Sequence, residues 1–188
     1  MVYIIATVAE KGAGKGLFAK TVQKLCAPRR VAVIRFSDPL REILKILGKE
    51  ESRENIDTLI TALREGFRDQ GVLISAIEKR LSAIDTDIVV LDAVRKPEEA
   101  SFVKSAGGIL VCITAHQEIR FERRRKESEN VDERDMSWGQ FVRQDTAPPQ
   151  VSIPEICETM ADAVIENNGT VEEFETKIGI FLRERGLI

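Results

Sequence analysis

Apolar residues gather in five short runs: VYIIATV (2–8), VAVIRF (31–36), DIVVLD (87–92), ILVCIT (109–114) and ADAVIEN (161–167). Their near-continuous, β-branched character is that of strands buried on both faces, as in a parallel sheet. Between them, polar and apolar positions recur at helical spacing in LFAKTVQKLC (17–26), DPLREILKILG (38–48), PEEASFVKSA (97–106), HQEIRFERRRK (116–126) and VEEFETKIGIFLRER (171–185). Asp38 is expected as an N-cap, with Pro39 at the first helical position and Gly48 near the stop. Segment 53–83 reads as two helices with a break near Gly71. The polar stretch ESENVDERDMSWGQ (127–140) is expected to be a mobile loop or short helical lid, and APPQVSIP (147–154) a connection inside the domain. Strand and helix alternate, which predicts an α/β fold: one domain over 1–188, a doubly wound, five-stranded parallel sheet with helices on both faces.

In such sheets ligands sit beyond the carboxyl ends of the strands, so candidate chemistry is sought there. After the first strand comes AEKGAGKGL (9–17). It approaches the phosphate-loop pattern G-x-x-x-x-G-K-[ST], in which backbone N–H groups cradle phosphates and the lysine reaches the β/γ-phosphates. Lys11, Gly12, Ala13, Gly14, Lys15, Gly16 and Leu17 are the candidate nucleotide-binding residues, and the following helix turns its positive end toward an anion. After the second strand, Asp38 and Arg41 lie at i and i+3. Besides a capping role, Asp38 could orient or deprotonate an attacking hydroxyl, and Arg41 could bind an acceptor phosphate. Asp92 ends the third strand at the position where a carboxylate holds Mg²⁺ directly or through water. Arg95 either grips phosphate or pairs with Glu98 or Glu99. Beyond the fourth strand, Arg120 and Arg124 share a helix face and can converge on one group; the alternative is a solvated basic face balanced by Glu118 and Glu122. Phosphoryl transfer needs cations around the moving group, which favours the first reading. Asn168 and Gly169 form a turn after the fifth strand, where the backbone can edge a nucleotide base.

Charge narrows the partners. With 28 basic and 31 acidic residues the net charge is −3, so no global positive field recruits nucleic acid or an anionic membrane surface. Cys26, Cys112 and Cys157 are widely spaced and odd in number, and His116 is the sole histidine. Neither a disulfide framework nor a zinc site is indicated, and a reducing cytoplasm is the natural setting. The first apolar run is too short to span a bilayer.

Together these residues resemble the nucleoside monophosphate kinase group of P-loop kinases. KGAGKG resembles the adenylate-kinase loop, where glycine follows the lysine and Mg²⁺ is held largely through waters. SDPLR resembles G-D-M-L-R, LDAVR resembles D-G-F-P-R, and RFERR matches the R-x-x-x-R that opens the lid. A match running nearly end to end is to the dephospho-CoA-kinase-like P-loop kinases of archaea and bacteria, through KGAGKG, SDPLR, REN with LR (63–64), DAVRKPEEA, RFER and ADAVIENNGTVEE. The resemblance implies a three-layer α/β/α P-loop NTPase fold with a helical acceptor-binding insertion (about 38–84) and a lid (about 116–146). It implies ATP, with Mg²⁺, as phosphoryl donor to a small phosphate-bearing acceptor, either a nucleoside monophosphate or dephospho-CoA. It assigns Arg41, Arg64 and Arg95 to the acceptor, Asp92 to the metal through water, and Arg120 and Arg124 to the transferring group; Lys15 on the β/γ-oxygens and Asp38, facing the acceptor, complete the expected catalytic set. The chain departs from these patterns at Ala9, which replaces the first loop glycine and would be strained in a left-handed backbone, and at Leu17, which replaces a threonine. A nucleotide-binding regulator that has lost phosphotransfer, or a simple NTPase, is the competing expectation; ATP or GTP, and monomer or homodimer, stay open.

Overall fold

The computed structural model describes residues 2–127, 136–146 and 152–188. The expected lid therefore lies partly, and the proline-rich stretch mostly, outside the described residues. In chain order the elements are β1 (Tyr3–Ala9), α1 (Lys15–Leu25), β2 (Val31–Arg35), α2 (Asp38–Ile46), α3 (Arg53–Phe67), α4 (Val72–Ala83), β3 (Ile88–Val94), α5 (Pro97–Ser105), β4 (Ile109–Thr114), α6 (Gln117–Glu127), α7 (Trp138–Asp145), α8 (Ile153–Thr159), β5 (Ala163–Glu166) and α9 (Val171–Glu184).

The strands form one sheet in the order β2-β3-β1-β4-β5, and the expected five-stranded parallel sheet with helices on both sides is what is found. β1 runs parallel to β3 and to β4, and β4 to β5. β1 and β3 each bury nearly every side chain, because neighbours flank them and helices cover both faces. Ile5, Val90, Val111 and Ile113 meet Phe18, Val22, Phe174, Ile178 and Leu182 of α1 and α9 in the main core. The register of β1 on β3 slips between Ala6 and Val8, so that Val8 pairs with Val94. This bulge falls at Asp92 and Ala93, and Ala93 adopts a left-handed φ of 69°.

Two compact units divide the chain, one of Met1–Val33 with Thr86–Ile188 and one of Ile34–Asp85. The smaller unit holds α2, α3 and α4. The break between α3 and α4 falls at residues 68–71, where Arg68 turns left-handed at φ 52° and Gly71 caps α4.

Three expectations need correction. Asp38 does not cap α2: Ser37 holds the N-cap and Asp38 is the first helical residue, its Oδ2 accepting from the Arg35 N–H at 2.8 Å. The aspartate's reach back to residue 35 closes the strand-to-helix turn instead of the helix end. Cys112 of β4 and Cys157 of α8 are joined in a disulfide, with Cα atoms 5.4 Å apart; 45 residues separate them, so only the packing of α8 against the sheet brings them together. α8 itself occupies part of what reads as a plain connection.

Candidate functional site

The loop after β1 is built by close packing from two sides. Gly12 (φ +80°) lies so near α6 that a Cβ there would come within 2.7 Å of the Arg120 carbonyl oxygen. Gly14 (φ +112°) has no room for a Cβ because Asn167 Nδ2 fills the space. Gly16, already in α1, meets nothing within 4 Å. Glycine at 12 and 14 is thus required by backbone conformation and by neighbours at once.

Lys15 Nζ curls back to donate to the carbonyl oxygens of Ala9 at 3.1 Å and Glu10 at 3.2 Å. Burial lowers its pKa to about 8, with Arg95 and Arg120 pushing the same way and Asp92 and Glu10 opposing. Three other residues expected around the phosphates, Asp92, Arg95 and Arg120, therefore lie close enough for their charges to act on Lys15. Asp92 is oriented by a residue hidden in the apolar run of β1: Thr7, 1% exposed, donates from Oγ1 to Asp92 Oδ1 at 3.0 Å and accepts the Ala93 N–H at 3.4 Å. Glu99, also buried, accepts the backbone N–H groups of Arg95 at 2.9 Å and Lys96 at 3.3 Å. It fixes the turn that carries Arg95.

Arg120 and Arg124 do converge, but on an aromatic ring. Their guanidinium carbons lie 5.5 and 5.8 Å from the centroid of Phe141 in α7. Every guanidinium nitrogen of Arg120 is engaged: Nε donates to Ala115 O, Nη1 to Lys11 O and Asp145 Oδ1, and Nη2 to Asp145 Oδ2, with Glu10 Oε2 at 3.2 Å. Arg124 donates to Gln144 Oε1 at 3.1 Å. For Arg120 to meet a phosphate, phosphate oxygens must replace a carboxylate. Burial lifts the Glu10 pKa, an effect that Arg120 opposes and Asp145 reinforces. Burial acts upward on Asp145 too, but hydrogen bonds from Arg120 and Gln117 and the charges of Arg120 and Arg124 hold it below the ordinary carboxylate value.

At the far side of the loop, Asn168 Oδ1 accepts the His116 N–H at 2.7 Å. Gly169 O receives a long contact from Arg123 Nη2 at 3.5 Å. The sequence reading passed over Arg123 and Asn167, which carry more of the contacts here than the residues beside them. Thr7 left a signal, a lone polar residue inside a buried strand; Asp145 left none.

In the smaller unit, Asp38 lies 3.9 Å from Arg80 Nη1, and Arg80 Nη2 donates to Glu42 at 2.7 Å. Arg41 pairs with Glu51 at 3.1 Å. The Nε atoms of Arg41 and Arg64 are buried and have no hydrogen-bond partner among the described residues. A buried guanidinium N–H without a partner is costly, of order 1–3 kcal/mol or more for a charged group, so both arginines are suited to receive an anion.

The sheet order, the glycine loop between β1 and α1, and the lysine that opens α1 define a P-loop kinase-like fold. Solved structures agree: shikimate kinase from Bacteroides thetaiotaomicron superposes with a TM-score of 0.61 at 15% identity over 98% of both chains. Shikimate kinase from Acinetobacter baumannii, in complex with shikimate, gives 0.58 at 19% identity over 100% of this chain and 97% of that one. A gluconokinase from Sinorhizobium meliloti gives 0.57 at 14% over 97% and 93%. The chain belongs to the UPF0200 family. It is 31% identical over 180 residues to a UPF0200 protein of Pyrococcus horikoshii, covering 93% of each, and 26% identical over 185 residues to one of Methanocaldococcus jannaschii, covering 96% of this chain and 89% of that one. No family profile matches it. Among the described residues no helix is long and apolar enough to cross a membrane.

Proposed function

We propose that the protein is an ATP-dependent phosphotransferase acting on a small phosphate-bearing acceptor, a nucleoside monophosphate or dephospho-CoA. The observation that carries the reading is the juxtaposition of Lys15 and Asp92 at the carboxyl ends of neighbouring strands, with the glycine loop between β1 and α1. A polyphosphate satisfies the three needs of that arrangement: counter-charge for a desolvated lysine, acceptors for loop N–H groups, and a shared ligand for a cation held by one carboxylate. Mg²⁺ fits the donor set. It is commonly bound by one or two carboxylates plus substrate phosphates and several waters, and Asp92 offers one carboxylate there. Asp92, aimed by Thr7, would hold it through water, and the ion would neutralise charge on the β/γ-phosphates.

In the reaction an acceptor oxygen attacks the γ-phosphorus, the bond from that phosphorus to the bridging β,γ-oxygen breaks, and ADP leaves. Where the nucleophile is a hydroxyl, Asp38 receives its proton; a phosphate nucleophile has none to give. Lys15 tracks the β/γ-oxygens. Arg41, Arg64 and Arg95 hold the acceptor, and the orphaned Nε atoms of the first two support that assignment. Arg120 and Arg124 act on the transferring group by trading carboxylate and amide partners on α7 for phosphate oxygens. Asn168 and Gly169 edge the base. Catalysis is positioning and electrostatics, with no covalent intermediate.

The test is ADP formation with ATP, Mg²⁺ and a panel of nucleoside monophosphates and dephospho-CoA. Acceptor-dependent ADP supports the reading, and folded protein that forms none overturns it. ADP release regardless of acceptor would identify an NTPase, and tight ATP binding without turnover a nucleotide-dependent regulator.

A further inference from the structure

β5 ends at Glu166, and the next residue, Asn167, is an amide only 3% exposed. Its backbone N–H is taken by Thr114 O at the end of β4, 2.7 Å away. Its side chain is used at both ends: Nδ2 donates to Ala13 O in the glycine loop at 2.8 Å, and Oδ1 accepts from Arg123 Nη2 at 3.2 Å. Arg123 Nη1 also donates to Asn167 O at 2.9 Å. A buried amide is tolerated only when so bonded, and here the four bonds reach three elements: the loop, β4 and, twice through Arg123, α6.

The loop is shaped around this amide. Gly14 is the residue whose Cβ would collide with Asn167 Nδ2, so the tightest glycine of the loop makes room for a protein side chain. In a trans peptide the C=O and the following N–H point in opposite directions. Pinning Ala13 O against Asn167 therefore turns the Gly14 N–H the other way, away from the core, where loop N–H groups meet an anion. Arg123, through Asn167 O and Gly169 O, ties the same residue to the turn beside it.

We infer that Asn167 is the positioning residue of the phosphate loop and that Arg123 is the clamp that holds it, so that the loop and the 167–169 turn are set as one piece. The inference rests on the nucleotide-binding reading above. It assigns Asn167 no contact with the ligand; its effect passes through the Ala13–Gly14 peptide.

The test compares wild type with Asn167→Asp, Arg123→Met and Arg123→Lys. Asparagine to aspartate keeps the shape and the Arg123 bonds but faces Ala13 O with an oxygen in place of a donor. The probes are ATP and inorganic tripolyphosphate, which lacks a base, titrated well below each variant's melting temperature. Asn167→Asp is expected to weaken both probes to a similar degree, about tenfold, equivalent to one misplaced hydrogen bond. Arg123→Met is expected to weaken both, with Arg123→Lys recovering most of the loss, and this pair carries the test if Asn167→Asp fails to fold. A merely structural role would lower melting temperature and leave folded protein binding tripolyphosphate within about twofold of wild type; that result overturns the inference alone. Wild-type protein that binds neither probe overturns the nucleotide reading and the inference with it.

Discussion

Replacing Asp145 by alanine removes the carboxylate that holds Arg120 in a two-pronged pair, at 2.6 and 2.7 Å, between side chains only 3% and 6% exposed. Stripping one partner from a buried pair leaves an uncompensated charge and costs about 3–5 kcal/mol. Glu10, 3.2 Å away on the other side, keeps Arg120 partly compensated, so the lower end, about 3 kcal/mol, is expected. For a chain of this size that corresponds to a fall in melting temperature of roughly 6–12 °C. The assay is thermal unfolding followed by circular dichroism and by the fluorescence of Trp138, the single tryptophan, which stacks against Phe141 and meets Phe121 edge-on. Because Trp138 reports on α7 packed against α6, Asp145→Ala should bring its fluorescence transition below the helix transition. The double variant Arg120→Met with Asp145→Leu should recover only part of the loss: an apolar pair often replaces a buried ion pair at little cost, but the carbonyls of Ala115 and Lys11 and the Glu10 carboxylate lose the guanidinium. The pH dependence has a definite sign. Asp145 has a depressed pKa when folded, so its contribution is complete above the unfolded value of about 4 and is lost as pH falls through the folded one. The wild-type advantage over Asp145→Ala should therefore persist from neutral pH to about 4 and shrink below it. An Asp145→Ala loss under about 1 kcal/mol at pH 7, the range of a solvated pair, would refute the reasoning.

Lys15, at about 8 in the free protein, should regain its proton when a polyphosphate arrives: at pH 8, calorimetry in buffers of different ionisation enthalpy should show about half a proton taken up per ATP, and less at pH 7. No uptake at pH 8 would mean that the phosphates do not reach Lys15. Ala93 holds a left-handed backbone at the bulge beside Asp92, so Ala93→Gly should stabilise the fold by about 0.5–1 kcal/mol, the relief of strain exceeding the added chain entropy; chemical denaturation checks it, and a destabilised variant would count against strain there. The Cys112–Cys157 bond closes a 45-residue span, so reduction, or Cys157→Ser, should cost up to about 4 kcal/mol, read as a lowered denaturation midpoint.

What the sequence makes legible is what neighbours in the chain decide. The strands could be read because β1, β3 and β4 are buried on both faces and so are apolar at nearly every position. α5 begins at Pro97 and the 53–83 stretch breaks at residues 68–71, since proline and left-handed positions act locally. Contacts that depend on distant segments left no such trace. Arg120 and Arg124 share a face as their spacing requires, yet nothing in RFERR says that Phe141 and Asp145 lie against it. Asn167 reaches Ala13 across 154 residues, and Asn168, its neighbour in the same turn, looked the better candidate because a turn residue is read as exposed. The Asp38 error was of a different kind: its carboxylate was expected to turn forward onto the helix, and instead it accepts the Arg35 N–H behind it.

The departures of the loop from the usual phosphate-loop pattern acquire a physical meaning from its packing. Ala9 stands where the first glycine is expected, but it ends β1, paired with Ile113 of β4 at 2% exposure, and its φ is not positive. A side chain there fills core without strain. Leu17, in place of a hydroxyl residue, packs against the main core under α1. The pattern has been altered where an extra methyl or isobutyl group gains burial, and kept at Gly12 and Gly14, where a Cβ would strike Arg120 and Asn167. One unfavourable backbone remains at the mouth of these strands, at Ala93, beside the carboxylate expected to face the metal. Such strain persists only where surrounding contacts over-determine it, and the Thr7 hydroxyl, bonded at once to Asp92 Oδ1 and the Ala93 N–H, is the contact that does so. Strain kept at Ala93 and removed at Ala9 places the constraint on the carboxylate's orientation.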